Sequence, residues 1–324
     1  MPRTGAVIKS VFALIFNSFA SLLAFSHRQR SAAAPMFAGS LWKKKIASAR
    51  ARFQRLAYYL NRTAPSAALS LLFLTTAQAG DPDRIEMRIE MFGTAGVHVA
   101  TNHTTVEEAA GSYAITTDAE SRGIAAVFID LTSHSEVRGR LTNGAAFPEA
   151  YLGVVHRNGV VTRNRVKYAA NGVVTGESTP PAETHTLVTP QLMRGTVDQL
   201  TAFFMIERQL AFRGSCALVV AVFDGRRRYD LHFTDVAPEV SQVSADRNFA
   251  SATQVCHMRR VAIAGFLDDS GLTEGAYEGE LWFAQLLPGD LMIPVQMEFS
   301  TEFGKVTGRL AELRGRGVHQ LFTK

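Results

Sequence analysis

Eight histidines between His98 and His319 are the side chains of this sequence best suited to metal binding or proton transfer. None stands at H-E-x-x-H or H-x-H spacing with an acidic partner, so no metal centre is predicted. In "LTSHSEVRG" Ser133, His134 and Ser135 are adjacent, yet neighbours in a strand point to opposite faces and do not easily share a proton. No G-x-S-x-G elbow, S-x-x-K motif or glycine-rich phosphate loop accompanies them. Nucleophilic catalysis is left with scattered Ser, His and Asp, and no cofactor is expected.

The densest polar stretch is "VFDGRRRYDLHF", Val222 to Phe233. After Asp224-Gly225, the residues Tyr229, Leu231 and Phe233 share one strand face, and Arg228, Asp230 and His232 the other. Arg226 to Arg228 could hold an anion such as a lipid phosphate or a partner's carboxylate. The plainer expectation is a solvated hairpin tip whose arginines pair with nearby acids. Trp282, in "ELWFAQLLPGDL", could line a ligand cavity, although an aromatic in a strand more often packs in a core. The candidate ligand or partner contacts are Arg226, Arg228, Tyr229, Trp282 and, from the helix described next, Phe204.

These residues need elements to position them. "TVDQLTAFFMIERQLAF", residues 196–212, opens with Thr196 and Gln199 in capping-box spacing and runs for four turns without Gly or Pro. Apolar residues cover most of its circumference and leave a narrow polar strip at Glu207, Arg208 and Gln209, so this one substantial helix must be buried on most sides. The rest reads as strands. "RIEMRIEMF" alternates Ile85, Met87, Ile89 and Met91 against Arg84, Glu86, Arg88 and Glu90. "LMIPVQMEF" puts Leu291, Ile293, Val295, Met297 and Phe299 on one face, with Pro294 pointing to an edge or bulge. Further strands are expected in "GSYAITTDAES", "IAAVFIDLTSHSEV", "AYLGVVHR", "VVTRNRVKYA", "ALVVAVFDG", "RRYDLHF", "TQVCHMRRVAIAG", "YEGELWFAQL" and "KVTGRLAEL". Asn143-Gly144, Asn158-Gly159, Asn171-Gly172 and Asp224-Gly225 supply turn chemistry between them, so neighbours are mostly antiparallel. The expected fold is mainly β: a strongly curved antiparallel sheet or half-open β-barrel wrapped around the helix at 196–212, in a single domain over 80–324.

Charge divides the chain at the same point. From Met1 to Ala79 there are eleven Lys and Arg and no acidic residue, so 80–324 keeps 23 basic residues against all 29 acidic ones, a net −6. The whole-chain charge of +5 therefore belongs to the leader, and nucleic-acid binding loses its support. Positive residues, an apolar run at Ala67 to Leu74 and the small residues of "TAQA" match a signal peptide cleaved between Ala79 and Gly80. A second apolar stretch, Val7 to Phe25, precedes a basic linker. If both are made, the positive-inside rule keeps the linker in the cytoplasm and sends 80–324 outward. The alternative is a later start, for example at Met36. In either case the expected location is the periplasm, with membrane contact only through an uncleaved leader.

Export places Cys216 and Cys256 in an oxidising compartment, where a disulfide is expected between them, worth about 4 kcal/mol. Two buried thiols are the alternative.

"TVDQLTAF", Cys216 followed by "FDGRRRYDL", Cys256, and "LWF" followed by "IPVQM" together resemble an exported bacterial family, Domain of Unknown Function 3108, over most of residues 84–314. Two departures are Gln199, where the family often has proline after the residue matched by Asp198, and Gln296, where a basic residue is common. The resemblance implies an exported β-rich protein of Gram-negative bacteria and brings no reaction with it. Three functions compete: a periplasmic, non-enzymatic module holding a lipid or other hydrophobic ligand under the helix, an envelope scaffold that binds a protein partner, and a hydrolase.

Overall fold

The computed structural model describes residues 83–181, 186–236, 253–266, 277–286, 292–301 and 304–322. The leader, the Ala79–Gly80 cleavage site, His185 and Leu291 lie outside these residues.

The alternation of "RIEMRIEMF" becomes β1 (Asp83–Phe92), with Ile85, Met87, Ile89 and Met91 buried and the charged residues turned outward. It is followed by β2 (His98–Ala109), β3 (Ser112–Ser121), helix α1 (Gly123–Phe128), β4 (Leu131–Thr142), β5 (Ala145–Arg157), β6 (Val160–Tyr168) and β7 (Val174–Thr179). Two helices come next, α2 (Pro190–Met193) and α3 (Gln199–Arg213). The chain then forms β8 (Leu218–Phe223), β9 (Arg228–Asp235), β10 (Thr253–Ala264), β11 (Tyr277–Ala284), β12 (Ile293–Thr301), β13 (Gly304–Gly315) and β14 (Val318–Leu321).

All fourteen strands belong to one antiparallel sheet, ordered from β7 back to β1, then across to β13 and on down to β8, with β14 paired to β13 off this path. It consists of two meanders joined through β1 and β13, which pair from Ile85 opposite Gly315 to Phe92 opposite Thr307 with a register shift between Arg88 and Ile89. Asn143-Gly144 and Asn158-Gly159 both take positive φ and close two-residue hairpins, as their chemistry predicts. Asp224-Gly225 instead begins a longer turn, in which the Asp224 carboxylate accepts from the backbone N–H groups of Arg226 and Arg227. Pro294 sits at a β-bulge, between the Trp282–Gln296 and Phe283–Pro294 pairings.

The path does not close by hydrogen bonding, yet its ends meet. In a flat sheet β7 and β8 would be roughly 58 Å apart at the usual strand spacing. Here a methyl group placed on Gly176 of β7 would come within 2.4 Å of the Phe223 ring of β8, and the Gly225 backbone packs on Asn164 and Arg165 of β6. The connection between these edges is α2 and α3, and Val197 forms a parallel bridge to Val222 of β8 just before α3 begins.

That bridge corrects the helix start. Residues 196–197 stay extended, and the cap is Asp198, whose carboxylate accepts from the Thr201 N–H at 2.9 Å. The Thr196 hydroxyl donates to the Met193 carbonyl instead. Gly214, in the left-handed region, ends the helix. Its polar strip is also redrawn, for Glu207 is buried while Phe212 is 68% exposed.

A second correction concerns "IAAVFIDLTSHSEV", which holds α1 as well as β4. Gly123 adopts positive φ, and a Cβ there would stand 2.8 Å from the His98 carbonyl oxygen, so the chain turns and coils before β4 can start.

Candidate functional site

A cavity of about 170 Å³ lies between α3 and the sheet. One wall is the alternating face of β1, with Met87, Ile89 and Met91; opposite it α3 presents Leu200, Phe203 and Phe204. Strands β9 to β12 add Leu231, Met258, Leu281, Phe283 and Met297. Gly308 of β13 makes room here, since a Cβ would meet the Met91 and Met297 side chains at 2.6 Å. Phe204 is buried, stacks on Tyr113 with ring centroids 5.1 Å apart, and carries the Arg208 guanidinium on its face.

The polar groups of the cavity are largely committed. Asn102 donates to the Thr117 hydroxyl at 2.7 Å and accepts from Thr104 at 2.8 Å. Gln199 gives its amide to the Tyr151 hydroxyl. Arg260 lies over the rings of Tyr229 and Phe266. Glu207 differs, because it forms no hydrogen bond or ion pair among the described residues. Burial, with a smaller push from Glu108, raises its carboxyl to about 8.

Beneath the helix N-terminus is a hydrogen-bonded chain. Asp198, fully buried, accepts from the Thr201 hydroxyl at 2.7 Å, and that hydroxyl meets Tyr113 Oη at 2.8 Å. Desolvation raises Asp198 to about 6 despite these bonds. Burial likewise raises the phenols of Tyr113 and Tyr168 above their ordinary range.

The sequence candidates do not share one location. Phe204 lines the cavity. Trp282 is buried opposite Val255 and Gln296 in register, while its neighbours Leu281 and Phe283 turn into the cavity. Tyr229 is fully buried under Arg260. Arg228 donates to the carbonyls of Leu192 and Tyr229 and to Asp230, and the Arg226 N–H to Asp224. Nor is the turn a solvated tip, because Asp224 and Arg227 are both buried. Ser133 and Ser135 face inward while half-buried His134 pairs with Asp118, so strand alternation does separate them. Cys216 and Cys256 are bonded, with Cα atoms 5.6 Å apart.

A model of the family described as protein of unknown function (DUF3108) matches residues 85–311. The chain belongs to the DUF3108 family. The chain is similar to a crystal structure from Brucella abortus described as a beta-barrel-like protein of domain of unknown function DUF1849. The identity is 11%, with 75% of this chain and 98% of that one covered and a TM-score of 0.40. No curated protein matches the chain.

In this DUF3108 chain Gln199 and Gln296 are both buried polar residues, and Gln199 borders the cavity. Asn102, Thr104 and Thr117 were not singled out from sequence, and Glu207 was read only as part of the polar strip of the helix. For Glu207 a signal existed: a lone carboxylate in a helix apolar on most sides.

The raised carboxyls set a pH dependence. Glu207 keeps its proton in the fold up to about 8 but loses it near 4.5 when unfolded, so folding takes up a proton between these values and stability falls as pH rises through them. Asp198 adds the same trend between 3.8 and about 6. Glu207→Gln is expected to flatten the decline above pH 6 and to raise stability at pH 9, read by urea unfolding at each pH. An unchanged slope would assign the effect to another group.

Proposed function

We propose that this DUF3108 protein is a periplasmic, non-enzymatic binding protein whose curved sheet wraps around α3 and holds an apolar molecule between them. The observation that carries this reading is the cavity, walled by Met, Ile, Leu and Phe side chains from both meanders and the helix. A mostly apolar space of this order accepts an aromatic ring or a short alkyl segment. The occupant is therefore a small hydrophobic molecule or one segment of a lipid, not a complete acyl lipid. The leader charge pattern and the buried disulfide support export.

Native mass spectrometry of protein purified from its own envelope, with displacement of a neutral naphthylamine dye by decanol, tests the proposal. Saturable dye binding that decanol competes away is expected, with a loss of more than about tenfold in affinity in Leu200→Trp, which fills the space. Non-saturable dye uptake and no co-purifying molecule would remove the proposal.

A further inference from the structure

The polar groups least accounted for lie outside the cavity, on the buried face of β4 to β6. Arg157 ends β5 on the face that carries Tyr151, Gly153 and Val155, and is 7% exposed. An arginine stays charged in a protein, so burial leaves it needing a counter-charge. Among the described residues it has none: no ion pair, hydrogen bond or ring contact involves it, and the neighbouring Asp130 is exposed. Desolvation alone acts on its guanidinium, lowering it from its ordinary value, with no carboxylate pulling it back.

Two hydroxyl residues flank it on the diagonal. Leu131 lies directly opposite Arg157 on β4, and the register makes Ser133 and Thr162 its diagonal neighbours on the two flanking strands. Both residues are buried, and Thr162 Oγ1 has no hydrogen-bond partner among the described residues. Diagonal cross-strand positions are within reach of a long side chain. Asn158-Gly159, the next two residues, form an exposed turn, so Arg157 stands at the very end of its strand.

We propose that Arg157, Ser133 and Thr162 form an oxyanion site, for a carboxylate or a phosphate, separate from the apolar cavity. The guanidinium supplies the charge and a fork of donors suited to two oxygens, and the hydroxyls complete the set. It does not depend on the cavity being filled.

Calorimetry and thermal unfolding of the intact mature protein test it with four probes: inorganic phosphate, dodecanoate, dodecanol, and sodium chloride at matched ionic strength. Phosphate or dodecanoate is expected to bind saturably and raise Tm, whereas chloride and dodecanol leave this site unaffected. A response to phosphate identifies a free anion as ligand, and a response to dodecanoate alone an anionic amphiphile head. Arg157→Met is expected to abolish the response while melting no lower than the wild type without anion, because it removes an uncompensated buried charge. Thr162→Val, nearly isosteric, keeps the fold and weakens anion binding by about ten- to a hundredfold. No saturable response to either anion in the wild type, or unchanged affinity in both variants, would overturn the site.

Discussion

Replacing Cys216 and Cys256 together with alanine is expected to lower the stability of the mature protein by about 4 kcal/mol, the loop-closure contribution of a bridge across this length of chain. The bridge spans 40 residues and joins the segment just before β8 to β10, two strands away. Both cysteines are fully buried, so alanine also leaves small voids that add to the loss. The bond holds more than the sheet. The Cys216 N–H donates to Asp235 Oδ1 at 2.8 Å, and Gln254 donates to the carbonyl of Gly214, the residue that ends α3. The C-terminal end of the helix is thus pinned to β9 and β10. Urea unfolding of the double variant, and of wild type with and without dithiothreitol, measures the effect. A loss below about 1 kcal/mol would mean that hydrogen bonds and packing hold this end of α3 without the bridge.

Phe204→Ala is expected to cost about 3–5 kcal/mol, the range for a buried phenylalanine. The ring stacks on Tyr113 and carries the guanidinium of Arg208, which reaches Glu108 at 2.9 Å and the Gly144 carbonyl, also at 2.9 Å. Its loss enlarges an existing space, so little collapse can recover the energy. The same variant gives a functional readout: a wider cavity accepts a larger ring than the wild type does, and that ligand restores part of the lost stability. Chemical unfolding with and without a naphthalene-sized ligand checks both effects. A cost under 1 kcal/mol would show that the helix is held elsewhere.

Strands with one apolar and one wet face were legible, as β1 and β3 demonstrate. Strand β2 was not, because its inward positions include Asn102 and Thr104, polar side chains that bond to each other beside the cavity. Their presence erases the alternation that marks a strand. Short β7 and β14 offer too few residues for a period to register. Helix α3 was legible from its length, but its start depended on the Val197–Val222 bridge, a contact between segments that no local pattern encodes. Phe204 could be chosen as a candidate from its helix, whereas Arg157 looked like any arginine at a strand end. Its significance lies in the missing counter-charge, which only the folded register reveals.

The seam between β1 and β13 sets a timetable for folding. Ile85 stands opposite Gly315, so the first of the described strands waits for one of the last before both its edges are paired. Contacts this distant in sequence form slowly, and an unsatisfied strand edge recruits other chains meanwhile. Each meander can assemble from local hairpins as it appears, but the two halves unite only after nearly the whole polypeptide has been delivered. Folding as the chain emerges is therefore the stage at which the unpaired edge of β1 is open to pairing with another chain.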